Sequence, residues 1–309
     1  MNIVVTINET YYYPLFIMLN SLFGHHPGVV VHVFLLYSDV TQESRDSLKE
    51  LCEKKGNTFT DIYVSEELFA DAPVTCYFPK EMYYRILAAQ LLPQSIDRVL
   101  YLDPDTIIVG NIMDFYTMDM EHLFFAGSCD RPNAMPNDSY KRSIGYTSSN
   151  TYINSGVLLC NLKELRKQQD VQEVFREIEE NGKKYLYPDQ DIINILYTDK
   201  IKEVPQKYNF DLNNVYWWEW LFCNVTPFLF PKDKKPAICH FLGPQKPWNR
   251  NYTRGGYQYY WKEERKYTTR GWWYVFIRSF KIPFCVVKST KVYFAFLLRH
   301  MGFIKKKSD

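Results

Sequence analysis

The chain has 309 residues, of which 46% are hydrophobic and 17% aromatic, with a net charge of +2. That is enough apolar material for a substantial core in one large or two small domains. Seven scattered cysteines with no Cys-x-x-Cys pair argue against a disulfide framework or a zinc ribbon and point to reduced thiols in a cytosolic protein. The small net charge hides an asymmetry: from Lys262 onward there are twelve Lys/Arg against three Asp/Glu, leaving a mildly acidic body. A basic end of this kind predicts an anionic partner, either a membrane surface or nucleic acid.

Asn2 to Ile7 reads as a short apolar strand, begun without the basic run of a signal peptide, so none is expected. A polar turn, Asn8-Glu9-Thr10-Tyr11, follows. Pro14 sits where the first turn of a helix tolerates proline, and Leu15 to Phe23 has helical apolar spacing. Val29 to Tyr37 predicts a second strand, Thr41 to Lys55 a helix with Thr41 as its N-cap, and Phe59 to Val64 a third strand. The uncharged stretch Thr10 to Ser38 is broken by Pro14 and by His25-His26-Pro27-Gly28 into helix, turn and strand, so it is not a membrane span. Strands alternating with helices predict an α/β domain with a largely parallel sheet. In such a sheet a nucleotide binds beside the Asn8–Tyr11 turn, where Tyr11 can stack on a base or be one more aromatic in a Tyr-rich chain.

Met82 to Leu92 predicts a helix carrying Arg85. The stretch Arg98-Val-Leu-Tyr-Leu-Asp-Pro-Asp105 then reads as a buried strand that ends at Pro104, which cannot donate to a ladder. Asp103 and Asp105 are thereby left at the carboxyl edge of the sheet, where open α/β sheets bind ligands. Two carboxylates one residue apart can share one hard divalent cation. With 18 aspartates in the chain, an Asp-x-Asp by itself is weak; a second one stands at Asp189-Gln190-Asp191.

Leu123 to Ser128 predicts a strand ending at Asp130. Arg131 to Asn150, rich in Pro, Asn and Ser, predicts a long loop able to close as a lid. Ile153-Asn154-Ser155-Gly156 precedes an apolar run, and Gly156 allows close backbone approach to a ligand. Glu164 to Lys183 predicts one helix, and Ile192 to Tyr197 another after Tyr187-Pro188-Asp189-Gln190-Asp191. The Trp-rich stretch Phe210 to Phe230 is either a sugar-binding wall or core. Ala237 to His240 predicts a strand closed by a Gly/Pro turn. His240 can be a third metal ligand or an ordinary buried histidine, and Gly243 and Lys246 can hold phosphate by backbone N–H and point charge. From Trp261 onward, aromatic and aliphatic residues interleave with Lys and Arg without a run long enough to span a bilayer. An interfacial amphipathic segment is expected, with RNA binding as the competing reading.

The ordered set of Tyr84-Arg85, Leu100-Tyr-Leu-Asp-Pro-Asp105, Asn154-Ser-Gly156-Val-Leu-Leu, Pro188-Asp-Gln-Asp191 and His240-Phe-Leu-Gly243-Pro-Gln-Lys246-Pro-Trp248 resembles glycosyltransferase family 8. This is the retaining family that includes bacterial lipopolysaccharide galactosyl- and glucosyltransferases and glycogenin. The resemblance covers roughly residues 2–248. It implies a GT-A type nucleotide-diphospho-sugar transferase fold over 1–255, with a membrane-associating C-terminal segment over 256–309. It further implies a hexosyltransferase moving galactose or glucose from a UDP-sugar to a saccharide or glycolipid acceptor. The cofactor implied is Mn²⁺, with Mg²⁺ as the alternative, and the setting is the cytoplasmic face of the cell membrane, without a nucleic-acid partner. By the same resemblance Asp103, Asp105 and His240 hold the metal, and Thr6, Asn8 and Tyr11 the uracil. Arg85, Pro104, Asn154, Ser155, Gly156, Asp189 and Gln190 surround the donor, Gly243 and Lys246 contact the diphosphate, and Asp130 faces the acceptor. Close relatives read Asp-x-Asn-Tyr where this chain has Asn8-Glu9-Thr10-Tyr11. Gln190 lies nearest the place of a catalytic nucleophile but is neutral, so front-side attack is expected over a covalent step on Asp189. A metal-dependent nucleotide-sugar hydrolase or nucleotidyltransferase, and a catalytically silent membrane- or RNA-binding protein, are the competing functions.

Overall fold

A computed structural model describes residues 1–70, 72–74, 79–129, 136–211, 235–249 and 257–267. Two compact units divide the chain: Met1–Phe210 with Pro236–His240, and Asp211–Lys235 with Phe241–Asp309.

The first unit is built on seven strands, β1 (Asn2–Thr6), β2 (His32–Tyr37), β3 (Thr58–Tyr63), β4 (Arg98–Leu102), β6 (Phe125–Gly127), β7 (Val157–Asn161) and β8 (Ile201–Glu203), in the order β3-β2-β1-β4-β7-β6-β8. β1 pairs in parallel with both β2 and β4, and β3 continues the parallel run. β7 is antiparallel to both its neighbours, and β6 and β8 are again parallel. The expected mostly parallel sheet is therefore present, with one reversed strand. The chain steps outward from β1 to β3 and then crosses to β4 on the other side of β1. The cleft between the ends of β1 and β4 is thus a topological switch point, the usual ligand position in such sheets.

Successive strand residues point to opposite faces, and the core divides accordingly. Val4, Phe34, Leu36, Val99, Tyr101 and Leu158 pack on one face with Ala88, Leu165, Val174 and Ile193. Ile3, Val5, Val33, Leu35, Leu100 and Leu159 pack on the other with Leu15, Leu19, Leu48 and Phe115. The first face carries α3 (Ala88–Leu91), α6 (Leu162–Gln168), α7 (Val171–Asn181) and α8 (Pro188–Leu196); the second carries α1 (Tyr12–His25), α2 (Gln42–Lys54) and α4 (Met113–Tyr116). Thr41 caps α2 as expected, accepting from the Ser44 N–H at 3.2 Å.

The sequence expectation and the structure differ in four places. The helix expected over Met82–Leu92 is a 3₁₀ segment, Lys80–Arg85, followed by the single turn of α3. Apolar residues at nearly every position there reflect all-round burial, which mimics helical periodicity. The loop expected over Arg131–Asn150 contains α5 (Asp138–Ser143), started by Asn137, whose side chain accepts from Tyr140 N–H. The helix expected over Glu164–Lys183 is two, because the Asp170 carboxylate caps a new start at Val171. α8 begins at Pro188 rather than Ile192, so Asp189, Gln190 and Asp191 lie in its first turn.

Beside the main sheet, β5 (Thr106–Ile108) pairs antiparallel with β10 (Ile238–His240), with the two-residue β9 (Phe210–Asp211) as the third strand. In the second unit, α9 (Tyr257–Glu264) places Tyr260 edge-on to Phe241 and against Trp248, and Trp261 Nε1 donates to Pro247 O at 3.1 Å. The Trp-rich stretch at 216–220 and the basic tail beyond 267 lie outside the described residues. No described helix is long and apolar enough to cross a membrane.

Candidate active site

β4 stops at Leu102, and the next residues make a tight turn: Thr106 N–H and Oγ1 both donate to Asp103 O, at 3.2 and 2.8 Å. Pro104 sits inside this turn, ending the ladder as its missing N–H requires. The turn feeds directly into β5, whose first residue, Thr106, is the register partner of His240 on β10. Strand pairing therefore carries an imidazole from 135 positions further along the chain to the two aspartates. His240 Nε2 lies 3.0 Å from Asp105 Oδ1 and 3.8 Å from Asp103 Oδ2. One ligand atom from each of Asp103, Asp105 and His240 lies within 4.8 Å of the others.

The reversed strand supplies the floor of this cluster. Asp103 N–H donates to Gly156 O at 2.8 Å. A Cβ on Gly156 would sit 2.3 Å from His240 Cε1 and 2.5 Å from Asp103 Oδ2, so only glycine leaves these groups room. Two hard carboxylates and one imidazole around a glycine-lined space suit a divalent cation such as Mn²⁺.

Arg85 braces the cluster from behind. Its guanidinium meets Asp103 at 2.9 Å and Asp189 at 3.2 Å, donates to Ser155 O at 3.0 Å, and lies 4.2 Å over the Tyr101 ring. Burial opposes the charge on Arg85, but Asp103 and Asp189 outweigh it and raise its pKa. Burial pushes the Asp103 carboxyl up from its ordinary value; Arg85 and His240 oppose this and Asp105 adds to it. Tyr101 OH donates to Asp103 Oδ1 at 2.6 Å and shares a hydrogen bond of 3.1 Å with Thr6 Oγ1 at the end of β1. Tyr11 is raised by burial and then by the charges of Asp105 and Asp103, which places it in the field of the same cluster. Asn8 Oδ1 accepts from Thr10 Oγ1 at 2.6 Å, while the Glu9 carboxylate turns away to accept from Thr41 N–H and Ser44 Oγ.

Gln190 Oε1 accepts from Ser155 N–H at 3.2 Å, joining α8 to the loop before β7. Asp191 is fully buried and accepts from Tyr140 Oη at 2.5 Å, from Tyr152 Oη and from Tyr187 N–H. Burial raises its pKa to about 6 against the pull of these donors.

Against known proteins, the model of glycosyl transferase family 8 matches residues 2–252. The chain belongs to glycosyl transferase family 8. It is therefore a glycosyltransferase, and the expected family and enzyme class hold. A lipopolysaccharide 1,2-glucosyltransferase of Escherichia coli is 27% identical over 238 residues, covering 73% of this chain and 66% of that protein. A putative glycosyltransferase of Haemophilus influenzae is 24% identical over 254 residues, covering 81% and 73%. Glycosyltransferase GlyF of Streptococcus pneumoniae is 24% identical over 248 residues, covering 80% of this chain and 57% of its own length. The chain thus spans roughly two thirds of the curated relatives it matches. Among solved structures, the galactosyltransferase LgtC in complex with donor and acceptor sugar analogs gives a TM-score of 0.75 at 23% identity, covering 90% of this chain and 100% of that one. It establishes the GT-A type fold. GlyE of Streptococcus pneumoniae gives 0.62 at 20% identity, covering 92% and 64%.

In this family 8 enzyme, Thr6, Arg85, Asp103, Asp105, Asn154, Ser155, Gly156, Asp189, Gln190 and His240 are brought into one bonded neighbourhood. Gly243 and Lys246 belong to the second unit. There Gly243 has a positive φ of 78°, and the buried Lys246 Nζ donates to Phe241 O at 2.7 Å. Asp130 lies outside the described residues. Sequence reasoning missed Tyr101, although its position two before Asp103 on a strand already puts both side chains on one face. It also missed Asn209, which no motif marks.

Proposed function

We propose that this glycosyltransferase moves a hexose, galactose or glucose, from a UDP-sugar to a saccharide or glycolipid acceptor with retention at the anomeric carbon. The carrying observation is the convergence of Asp103, Asp105 and His240 at the switch point between β1 and β4. These three residues would hold Mn²⁺, with Mg²⁺ as the alternative. Bound there, the ion supplies a Lewis acid for the departing diphosphate. Thr6, Asn8 and Tyr11, at the end of β1, take the uracil side. Gly243 and Lys246 contact the diphosphate, the lysine opposing the negative charge that develops on it. Pro104, Asn154, Ser155 and Gly156 shape the donor-sugar floor, and Asp130 faces the acceptor.

Arg85 pairs with Asp103 and Asp189 in a buried setting and opposes the upward pull of burial on the Asp103 carboxyl. Asp189 is held by Arg85, and Asp191 by two tyrosine hydroxyls and a backbone N–H. Neither carboxylate flanking Gln190 is free to attack. The reading is therefore front-side displacement: the acceptor hydroxyl oxygen bonds to the anomeric carbon as the bond to the diphosphate breaks. Its proton passes to the departing phosphate oxygen. A trapped glycosyl–Asp189 adduct in the wild type would overturn this step.

The test is calorimetric titration of UDP with and without Mn²⁺ on the wild type and on Asp105→Asn. Binding that needs Mn²⁺ and disappears in the variant is expected. Binding that ignores both would remove the metal–diphosphate reading, and UMP or free sugar released without acceptor would favour the hydrolase or nucleotidyltransferase instead. The basic, aromatic sequence beyond Lys262 supports a second location-related proposal, docking on an anionic membrane surface at the cytoplasmic face. Co-sedimentation with anionic vesicles should fall when residues 271–309 are deleted while UDP binding persists; unchanged sedimentation would refute it.

A further inference from the structure

We propose that Asn209 is a positioning residue for the metal site, fixing the tautomer of His240 through a chain of amides that starts at the Gly156 backbone. The inference rests on the reading of His240 as a metal ligand. The Gly156 N–H can only donate, and it meets Asn154 Oδ1 at 2.9 Å. The same Oδ1 accepts from Asn209 Nδ2 at 2.8 Å, so the amide group of Asn209 faces Asn154. Its carbonyl must then face the other way, and Asn209 Oδ1 lies 2.8 Å from His240 Nδ1. An amide oxygen only accepts, so Nδ1 carries the hydrogen. Nε2 keeps its lone pair and points toward Asp105 and Asp103.

A backbone N–H cannot be reversed, so every partner downstream of it is fixed. Flipping the imidazole to its Nε2–H form would place two donors or two acceptors against each other somewhere along the chain. Asn154, Asn209 and His240 are 6, 8 and 1% exposed, so water has little room to repair such a mismatch. The opposing force is local: the Asp105 carboxylate, 3.0 Å from Nε2, would draw the proton to that side. The amide chain resists that pull and leaves the ring ready to ligate. Partners of this kind typically change metal affinity by about 10–100-fold.

Three measurements on the full chain test this. In the metal-free wild type at about pH 9, above the ordinary histidine range, ¹⁵N-histidine NMR should show His240 as the Nδ1–H form, its signal assigned by loss in His240→Gln. Asn209→Leu should shift the ring toward Nε2–H and weaken Mn²⁺ binding, titrated with the metal alone, by about 10–100-fold. Asn154→Asp, which still accepts at both contacts, should keep the Nδ1–H form. An Nε2–H ring in the wild type would overturn the proposal, as would wild-type tautomer and affinity in Asn209→Leu. If Asp105→Asn binds Mn²⁺ as the wild type does, the metal-site reading itself fails, whereas the tautomer measurement still decides the amide chain.

Discussion

Replacing Arg85 by Met removes a cation shared by Asp103 and Asp189 while keeping an unbranched side chain to cover Tyr101. Side-chain exposures are 8% for Arg85, 5% for Asp189 and 20% for Asp103, so at least one carboxylate is left charged in a dry setting. Breaking a buried pair from one side costs about 3–5 kcal/mol. Asp103 is partly wetted, which places the expected loss near the lower end, about 3 kcal/mol. At roughly 2–4 °C per kcal/mol for a chain of this size class, the melting temperature at about pH 8 should fall by roughly 6–12 °C, read by circular dichroism. The pH dependence is the sharper test. Without Arg85, burial raises the Asp103 carboxyl further above its unfolded value, so the folded state binds more protons in the window between. Stability then falls as pH rises through that window. The deficit of Arg85→Met against the wild type should therefore narrow on acidification toward about pH 5. A deficit below about 1 kcal/mol, the range of an exposed ion pair, or one that does not narrow, would refute the assignment of Arg85 as the buried counter-charge.

Further tests address other parts of the molecule. Gly156→Ala should abolish measurable Mn²⁺ binding, because its Cβ would enter the space between His240 and Asp103; binding within tenfold of wild type would show that the floor can move. Asp191 has a folded pKa of about 6, above its unfolded value, so its stabilising contribution is present below about pH 4 and lost as pH rises through about 6. Asp191→Asn should remove up to about 3 kcal/mol of that slope, and a variant whose pH–stability curve parallels the wild type would contradict it. Arg166 donates to five carbonyls, those of Ala89, Leu92, Pro93, Gln94 and Ile96, fastening the end of α3 and the turn into β4. Arg166→Met should cost roughly 2–3 kcal/mol of unfolding free energy, and a loss under about 0.5 kcal/mol would mean water replaces the guanidinium.

The pattern of apolar strands and amphipathic helices was legible wherever one side of an element faces solvent, as in α2, with Ser44, Leu48, Leu51 and Cys52 buried. Pro104 marked the end of β4 for a reason intrinsic to proline. Legibility failed where an element is buried on every side, as at Lys80–Arg85, and where a side-chain cap outweighs periodicity, as at Asn137 and Asp170. The short β8 has too few residues to show alternation. Within the site, motif residues could be recognised one by one, but their joining depends on ladder register between β5 and β10. Asn209 illustrates the deeper limit: its role depends on the orientation of an amide, and nothing in a one-dimensional string records which end of a side chain faces which neighbour.

The reversal of β7 decides how the floor of the cluster is delivered. The other six strands of the sheet reach the carboxyl edge only after the strand has been laid down. β7 runs the other way, and the chain reaches the same edge before the strand begins. Asn154, Ser155 and Gly156 are delivered there by the segment containing α5, and the strand then leads away from the cluster. β7 keeps its register against β4 and holds Gly156 under His240 and Asp103, while α5 is tied to α8 through the Tyr140 hydroxyl on Asp191. The floor of the cluster thus arrives ahead of its strand, and ladder register with β4 fixes where Gly156 lies.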